Sequence, residues 1–345
     1  MQHSAPALST DAVVIGAGPC GLFAVFQLGI NGLRAHVIDA LDRPGGQCTE
    51  LYPAKPIFDI PGFPKVEGQE LTDRLMMQAS PFRPVFHFHQ VASRLDRLEA
   101  GGWRVTTSLG VVIEAPVVVI ASGGGSFTPK RPPNLPELAL YEGTSIHYSV
   151  RDPAAFAGKR IVIAGGGDSA ADWALALADV AAHVTLVHHR PDMRAQAHSV
   201  ERLALLSAAG HITRRTARLK GLRGHDGLLE AVVVEAGGLE EPVAADHLLV
   251  FYGLTMKPGP VAEFGIEMEN GLIPVDSEKF QTSLPAVFAI GDISHYPGKL
   301  KLILSGFHEA ALMARAAASI CRPGEQPTFE YTTSASRLET MLRVA

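Results

Sequence analysis

Hydrophobic positions fall along the chain in short unbroken runs, separated by glycine-rich turns and longer stretches of mixed polarity. Ala12–Ile15 is one such run; a glycine turn follows, and Leu22–Ile30 is apolar on nearly every face. This pattern predicts a buried strand leading into a buried helix, which Asn31 and Gly32 stop. Arg34–Ile38 then reads as a second strand, ending in Asp39. The same order returns far along the chain: a run at Arg160–Ala164, the turn GGGDSA, an alanine-rich helix over Ala171–Val180, and a strand at His183–Val187. Two βαβ units so widely spaced suit two nucleotide domains better than a solenoid. Between them, Gly102–Thr107 and Val111–Ile113 read as a hairpin, and Val117–Ala121 as a continuous apolar strand ending in SGGG. The proline-rich stretch SFTPKRPPNLPE marks a linker. A second crossing is expected near Phe251–Gly253, after the strand His247–Val250, and Val287–Ile290 before Gly291-Asp292 reads as a strand end facing a nucleotide.

Length and composition agree with two separate cores. The chain has 345 residues, of which 47% are apolar and 19% charged, so it is globular and too long for one doubly wound unit. A formal net charge of −5 gives no support to nucleic-acid binding. The first residues, MQHSAPALST, lack the basic start and apolar run of a signal peptide. Residues 12–33 carry no charge, but five glycines and a proline interrupt them, so no membrane span is expected. The 14 histidines form no metal-ligand set with cysteines, and His87 and His89 alternate as strand neighbours do. No metal is expected. Cys20, Cys48 and Cys321 lie far apart without a C-x-x-C, as suits a reducing cytoplasm.

The chemistry sits in the glycine turns. In GAGPCG, Gly16 permits the tight turn, Gly18 lets the backbone approach a pyrophosphate, and Gly21 allows close helix–strand packing. Pro19 and Cys20 complete the turn, with the anion over the helix N-terminus. Asp39, at the end of the next strand, is placed to accept ribose hydroxyls, which points to a cofactor such as FAD. In the second turn Gly165 and Gly167 keep their places, Ala170 replaces the third glycine, and Asp168 and Ser169 stand between them. Its second strand ends in His188, His189 and Arg190, with Arg194 beyond, where an acid would repel a 2′-phosphate and arginine forks bind one. That contrast points to NADPH at the second site. The fold class expected is α/β, with two Rossmann-like three-layer nucleotide-binding domains. The NADPH domain (123–250) is inserted into a discontinuous FAD domain (1–122 and 251–345).

With both turns placed, the chain resembles the thioredoxin-reductase-like ferredoxin–NADP+ reductases. The resemblance runs nearly the whole length, through GAGPCG, GGQCTELYPAKPIFDIPGFP (45–64), GGGDSAADWAL, HHR-x-x-x-RA and AIGDISHYPGKLKLILSGFHEAA (289–311). It implies that Gly46 and Gln47 border the flavin and that Tyr52 stacks on one face. It also implies that Asp292 binds the ribityl or phosphate region and that a helix starting near Leu302–Ile303 faces the flavin edge. In a homodimer the tail of one subunit would cover the other flavin face, with Tyr331, Thr332 or Thr333 nearest the ring.

Thioredoxin reductases share both nucleotide domains but carry a C-x-x-C before the second βαβ unit. Here that stretch reads His147-Tyr-Ser-Val150, so thiol exchange with a protein disulfide is ruled out. The expected activity is electron transfer through FAD between NADPH, a hydride donor, and an acidic iron–sulfur ferredoxin taking single electrons. Lys55, Lys65, Lys299 and Lys301 are expected to offer positive charge to that partner. A diaphorase or NAD(P)H oxidase would need no ferredoxin, and a non-catalytic redox sensor would turn over slowly with every acceptor.

Overall fold

The computed structural model describes residues 6–324. The chain divides into two compact units, one built from Met1–Ser126 and Met256–Ala345 and the other from Phe127–Thr255.

The first unit is organised around a parallel sheet of five strands in the order Val287–Ala289, Val117–Ile120, Ala12–Ile15, Ala35–Ile38 and Val85–His87. Its central strands read AVVI and VVVI, and every side chain in them is buried. An unbroken apolar run is what a strand needs when both faces of its sheet are covered. Ala12, Val14, Val117 and Val119 face the helices Pro19–Ile30 and Ile303–Cys321. Val13, Ile15, Val118 and Ile120 pack instead on Trp103, Val105 and Ile113 of a second, smaller sheet. That sheet contains the expected hairpin, as Trp103–Thr107 against Val112–Ala115. Each aliphatic side chain buried this way contributes about 1.5–3 kcal/mol. The strand Val287–Ala289 lies beside Val117–Ile120, so the chain does return to its first sheet after the second unit. The histidines of HFH part company: His87 ends its strand, whereas His89 lies beyond it with φ 55°.

The second unit repeats the plan. Its parallel strands run in the order Ile146–His147, His247–Val250, Arg160–Ala164, His183–His188 and Ile212–Thr216. A three-stranded antiparallel sheet, Arg218–His225, Leu228–Ala236 and Leu239–Ala244, supplies Leu219, Leu222, Val232 and Val234 against Val162, Ala164, Val187 and Leu248. The helix after the second glycine turn is Asp168–Leu177, three residues earlier at its start than the alanine pattern suggests, because extended Gly167 caps it and Asp168 is already helical. The two crossings between the units, Ser126–Pro129 and Leu254–Lys257, pair with each other as a two-stranded ribbon. The proline-rich linker therefore begins as a strand. No helix among the described residues is long and apolar enough to cross a membrane.

Candidate active site

The first glycine turn is shaped by near-contacts that only glycine allows. Gly16 sits at φ 111°, and a Cβ there would lie 2.4 Å from the carbonyl oxygen of Ala121. A Cβ on Gly21 would lie 1.9 Å from the carbonyl oxygen of Gly16, which fixes how closely the helix meets the strand. Gly18 differs: nothing lies within 4 Å of its Cβ position, and it caps the helix without any side chain bonding the first amides. Pro19 opens the helix, so the turn offers open space in front of oriented N–H groups, the arrangement that binds a pyrophosphate. Asp39 reaches this turn across the sheet. The Ala17 N–H donates to its Oδ2 at 2.6 Å and the Leu41 N–H to its Oδ1 at 2.8 Å. Burial holds the Asp39 carboxyl above the usual carboxylate range, against the opposing pull of these two amides.

Three further segments converge here. The Gly45 N–H donates to the Ala17 carbonyl at 2.8 Å, and Gly46, at φ 55°, brings its Cβ position within 3.2 Å of Gly18 Cα. The Gln47 amide nitrogen lies 3.8 Å from the Cβ position of Gly123, in the SGGG that ends the strand Val117–Ile120. Cys48 is buried beside the Tyr52 hydroxyl, 3.9 Å away, and burial pushes its thiol up to about 11. Tyr52 is likewise driven up by burial, with the Cys48 and Asp292 charges adding to it. The negative charge of Asp292 also acts on Cys20 and Cys48, so GAGPCG, GGQCTELY and Gly291-Asp292 form one neighbourhood. Cys20 has a packing role: its sulfur fills the space a side chain would need at Gly291 and Gly306, and burial raises its thiol to about 12.

Two features of this site escaped the sequence reading. Ser122, just past the strand Val117–Ile120, has a buried hydroxyl with no hydrogen-bond partner in the protein. Its signal was the serine opening SGGG. Lys299 is the second. It was expected to offer its charge to a partner, yet its side chain is 5% exposed and its ammonium is paired with the fully buried Glu309. A buried carboxylate ten residues on, in a helix, outcompetes water for that charge. Lys65 is exposed and lies 4.0 Å from Glu67, and Lys301 is exposed. Lys55 is half-buried. Tyr331, Thr332 and Thr333 lie outside the described residues.

The second glycine turn has the same logic with different surroundings. A Cβ on Gly165 would lie 2.5 Å from the Phe251 carbonyl oxygen, and one on Gly166 would lie 2.2 Å from the His188 ring. Gly167 is again open, and buried Ala170 packs beside Gly165, 3.0 Å from its Cβ position. The segment after His188 folds back onto this turn. The Arg194 N–H donates to the Gly166 carbonyl at 2.7 Å, and the Gln196 N–H to Asp168 Oδ1 at 2.9 Å. His189, Arg190 and Arg194 are thereby exposed beside it, as is Ser169. Burial, then the charges of His189 and Arg190, hold His188 below its ordinary range. At the stretch where a dithiol would sit, His147 Nε2 lies 3.1 Å from His247 Nδ1.

A family model, the pyridine nucleotide-disulphide oxidoreductases, matches residues 10–313. The chain belongs to this family. Among its relatives, the ferredoxin–NADP reductase of Bradyrhizobium sp. (strain BTAi1 / ATCC BAA-1182) is 53% identical over 339 residues, 98% of this chain and 99% of that protein. That of Mesorhizobium japonicum is 53% identical over 340 residues, 98% of both chains. Among solved structures, the thioredoxin reductase of T. acidophilum superposes with a TM-score of 0.75 at 23% identity, covering 90% of this chain and 98% of that one. The bacillithiol disulfide reductase of Bacillus cereus gives 0.70 at 17%, covering 90% and 99%. These structural likenesses concern the fold alone. Within the family this chain's three cysteines, Cys20, Cys48 and Cys321, are all free thiols.

Proposed function

We propose that the chain is a ferredoxin–NADP+ reductase, with FAD in the unit of Met1–Ser126 and Met256–Ala345 and NADPH in Phe127–Thr255. The observation that carries this reading is the contrast between two open glycine turns, one bonded by Asp39 and the other by the backbone of Arg194, with Arg190 and Arg194 both exposed. The names of the relatives at 53% identity over 98% of the chain point the same way.

The first site's residues fit FAD. Gly18 leaves room for the pyrophosphate, whose charge the amides of the helix Pro19–Ile30 would meet. Asp39 would accept the ribose hydroxyls, and the unpartnered Ser122 hydroxyl supplies a further polar contact. Gly46 and Gln47 would border the flavin, Tyr52 would lie on one face, and Asp292 would hold the ribityl or phosphate region. Bound FAD supplies the conversion between hydride and single-electron chemistry. In the second unit Gly167 opens the turn to the NADPH pyrophosphate, while Arg190 and Arg194, with His189, would clamp the 2′-phosphate. The protein's own task is to bind, orient and exclude water; no side chain is required as acid or base. The partner is a small acidic iron–sulfur ferredoxin, met through weak, charge-steered encounters that Lys65 and Lys301 favour. The working form is a homodimer in which Tyr331, Thr332 or Thr333 of one subunit lies nearest the flavin of the other, and free thiols fit a cytoplasmic setting.

The test is NADPH-driven cytochrome c reduction by the purified protein, with and without ferredoxin. A large ferredoxin-dependent rise is expected. Fast turnover indifferent to ferredoxin would instead identify a diaphorase or oxidase.

A further inference from the structure

Glu309 is the one acidic side chain among the described residues that is wholly enclosed, at 0% exposure, and it lies in the second turn of the helix Ile303–Cys321. Its Oε2 accepts the Gly291 N–H at 2.6 Å and lies 3.4 Å from the Ser294 hydroxyl. Its Oε1 accepts the Tyr296 hydroxyl at 2.8 Å and pairs with the Lys299 ammonium. The Ser294 hydroxyl in turn donates to the Gly291 carbonyl at 2.8 Å. Both backbone polar groups of Gly291 are therefore engaged by this cluster, and the Cys20 sulfur closes its third side. None of these bonds goes to the Asp292 carboxylate itself; they hold the backbone that carries it.

The energetics argue for a purpose beyond cohesion. Enclosing an ion pair costs desolvation that its attraction barely returns, and apolar pairs of similar volume often serve stability as well or better. An acceptor aimed at Gly291 is what an apolar pair cannot supply. We propose that Glu309, counter-charged by Lys299, is a positioning residue for the turn Gly291–Ile293, and that it sets where the Asp292 carboxylate meets FAD. This rests on the FAD reading of the first unit.

Two variants separate positioning from cohesion. K299M/E309Q removes both charges but keeps an acceptor for the Gly291 N–H, whereas K299M/E309M removes the acceptor at nearly equal length. The full chain is stripped of flavin, and three quantities are read: the urea midpoint without FAD, the Kd for added FAD by fluorescence quenching, and the flavin midpoint potential. With matched urea midpoints, the methionine pair is expected to bind FAD about tenfold more weakly than the glutamine pair, as loss of one hydrogen bond to a held turn implies. Its flavin potential should also shift from that of the glutamine pair. Equal Kd and equal potential in the two would overturn the proposal. Should the methionine pair fail to fold, S294A takes its place, with FAD binding about threefold weaker expected from loss of the bond to the Gly291 carbonyl; binding unchanged from the parent would again overturn it. A parent chain that binds no FAD at all would refute the FAD reading and not this one alone.

Discussion

Each thiol in this protein sits where its charged form is disfavoured. Burial raises Cys20 to about 12 and Cys48 and Cys321 to about 11. At pH 8 the native protein should therefore resist iodoacetamide for hours, while all three thiols label at once in denaturant. Mass spectrometry would check this, and rapid native labelling of Cys48 would contradict its burial. The same shifts carry a pH sign. A thiol whose folded pKa lies above its unfolded value near 9 stabilises the fold fully below pH 9 and loses that contribution as pH rises toward 11 or 12. Stability should thus fall between those limits, by up to about 1.4 kcal/mol per pH unit for each such group. Urea titrations of C48A against the parent should show a shallower fall for C48A; identical slopes would mean Cys48 titrates normally in the fold. Arginine at the second turn makes the other residue-level prediction. R190A/R194A should raise the KM for NADPH about tenfold or more, and that for NADH little, since only the 2′-phosphate is charged there. Equal rises for both cofactors would remove the 2′-phosphate role.

Elements meet in this fold where glycine permits it. The helices Pro19–Ile30 and Ile303–Cys321 approach at Cys20 and Gly306, where a Cβ on Gly306 would lie 2.1 Å from the Cys20 sulfur. G306A should destabilise the protein by about 1–3 kcal/mol through overpacking. In a C20A background the same change should be neutral or favourable, because alanine is about 1 kcal/mol better than glycine within a helix. A double-mutant cycle by denaturation measures the coupling, and simple additivity would mean the helices yield at this contact. This contact also shows what sequence could and could not reveal. The strand–turn–helix units at Ala12–Ile38 and Arg160–His188 were legible because glycine spacing and apolar runs are local features. Hidden were the facts of long-range burial: Lys299 reads as a surface charge until Glu309 is seen beside it, and Ser122 reads as turn until its hydroxyl is found without a partner. The helix start at Asp168 was missed for a smaller reason, since the extended backbone of Gly167 is not visible in a run of three glycines.

At the scale of the molecule, the decisive property is that the second unit is continuous in sequence. Among the described residues, the apolar cluster between its two sheets is built from residues between Leu135 and Val250. Its two chain ends fall in strands that pair with each other, which leaves them adjacent when cut. The first unit lacks this freedom, because Val287–Ala289 must find Val117–Ile120 across the whole insertion. Residues 127–255 expressed alone should consequently fold with a cooperative unfolding transition, in the size range of ordinary single domains. Colourless protein is expected, since Asp39, Ser122 and Asp292 all belong to the other unit. It should be retained on immobilised 2′,5′-ADP and released by NADPH, with R190A/R194A abolishing retention. A fragment that folds but passes through the column would show that the second turn needs the first unit to hold its nucleotide, and the division of cofactors between the two units would have to be redrawn.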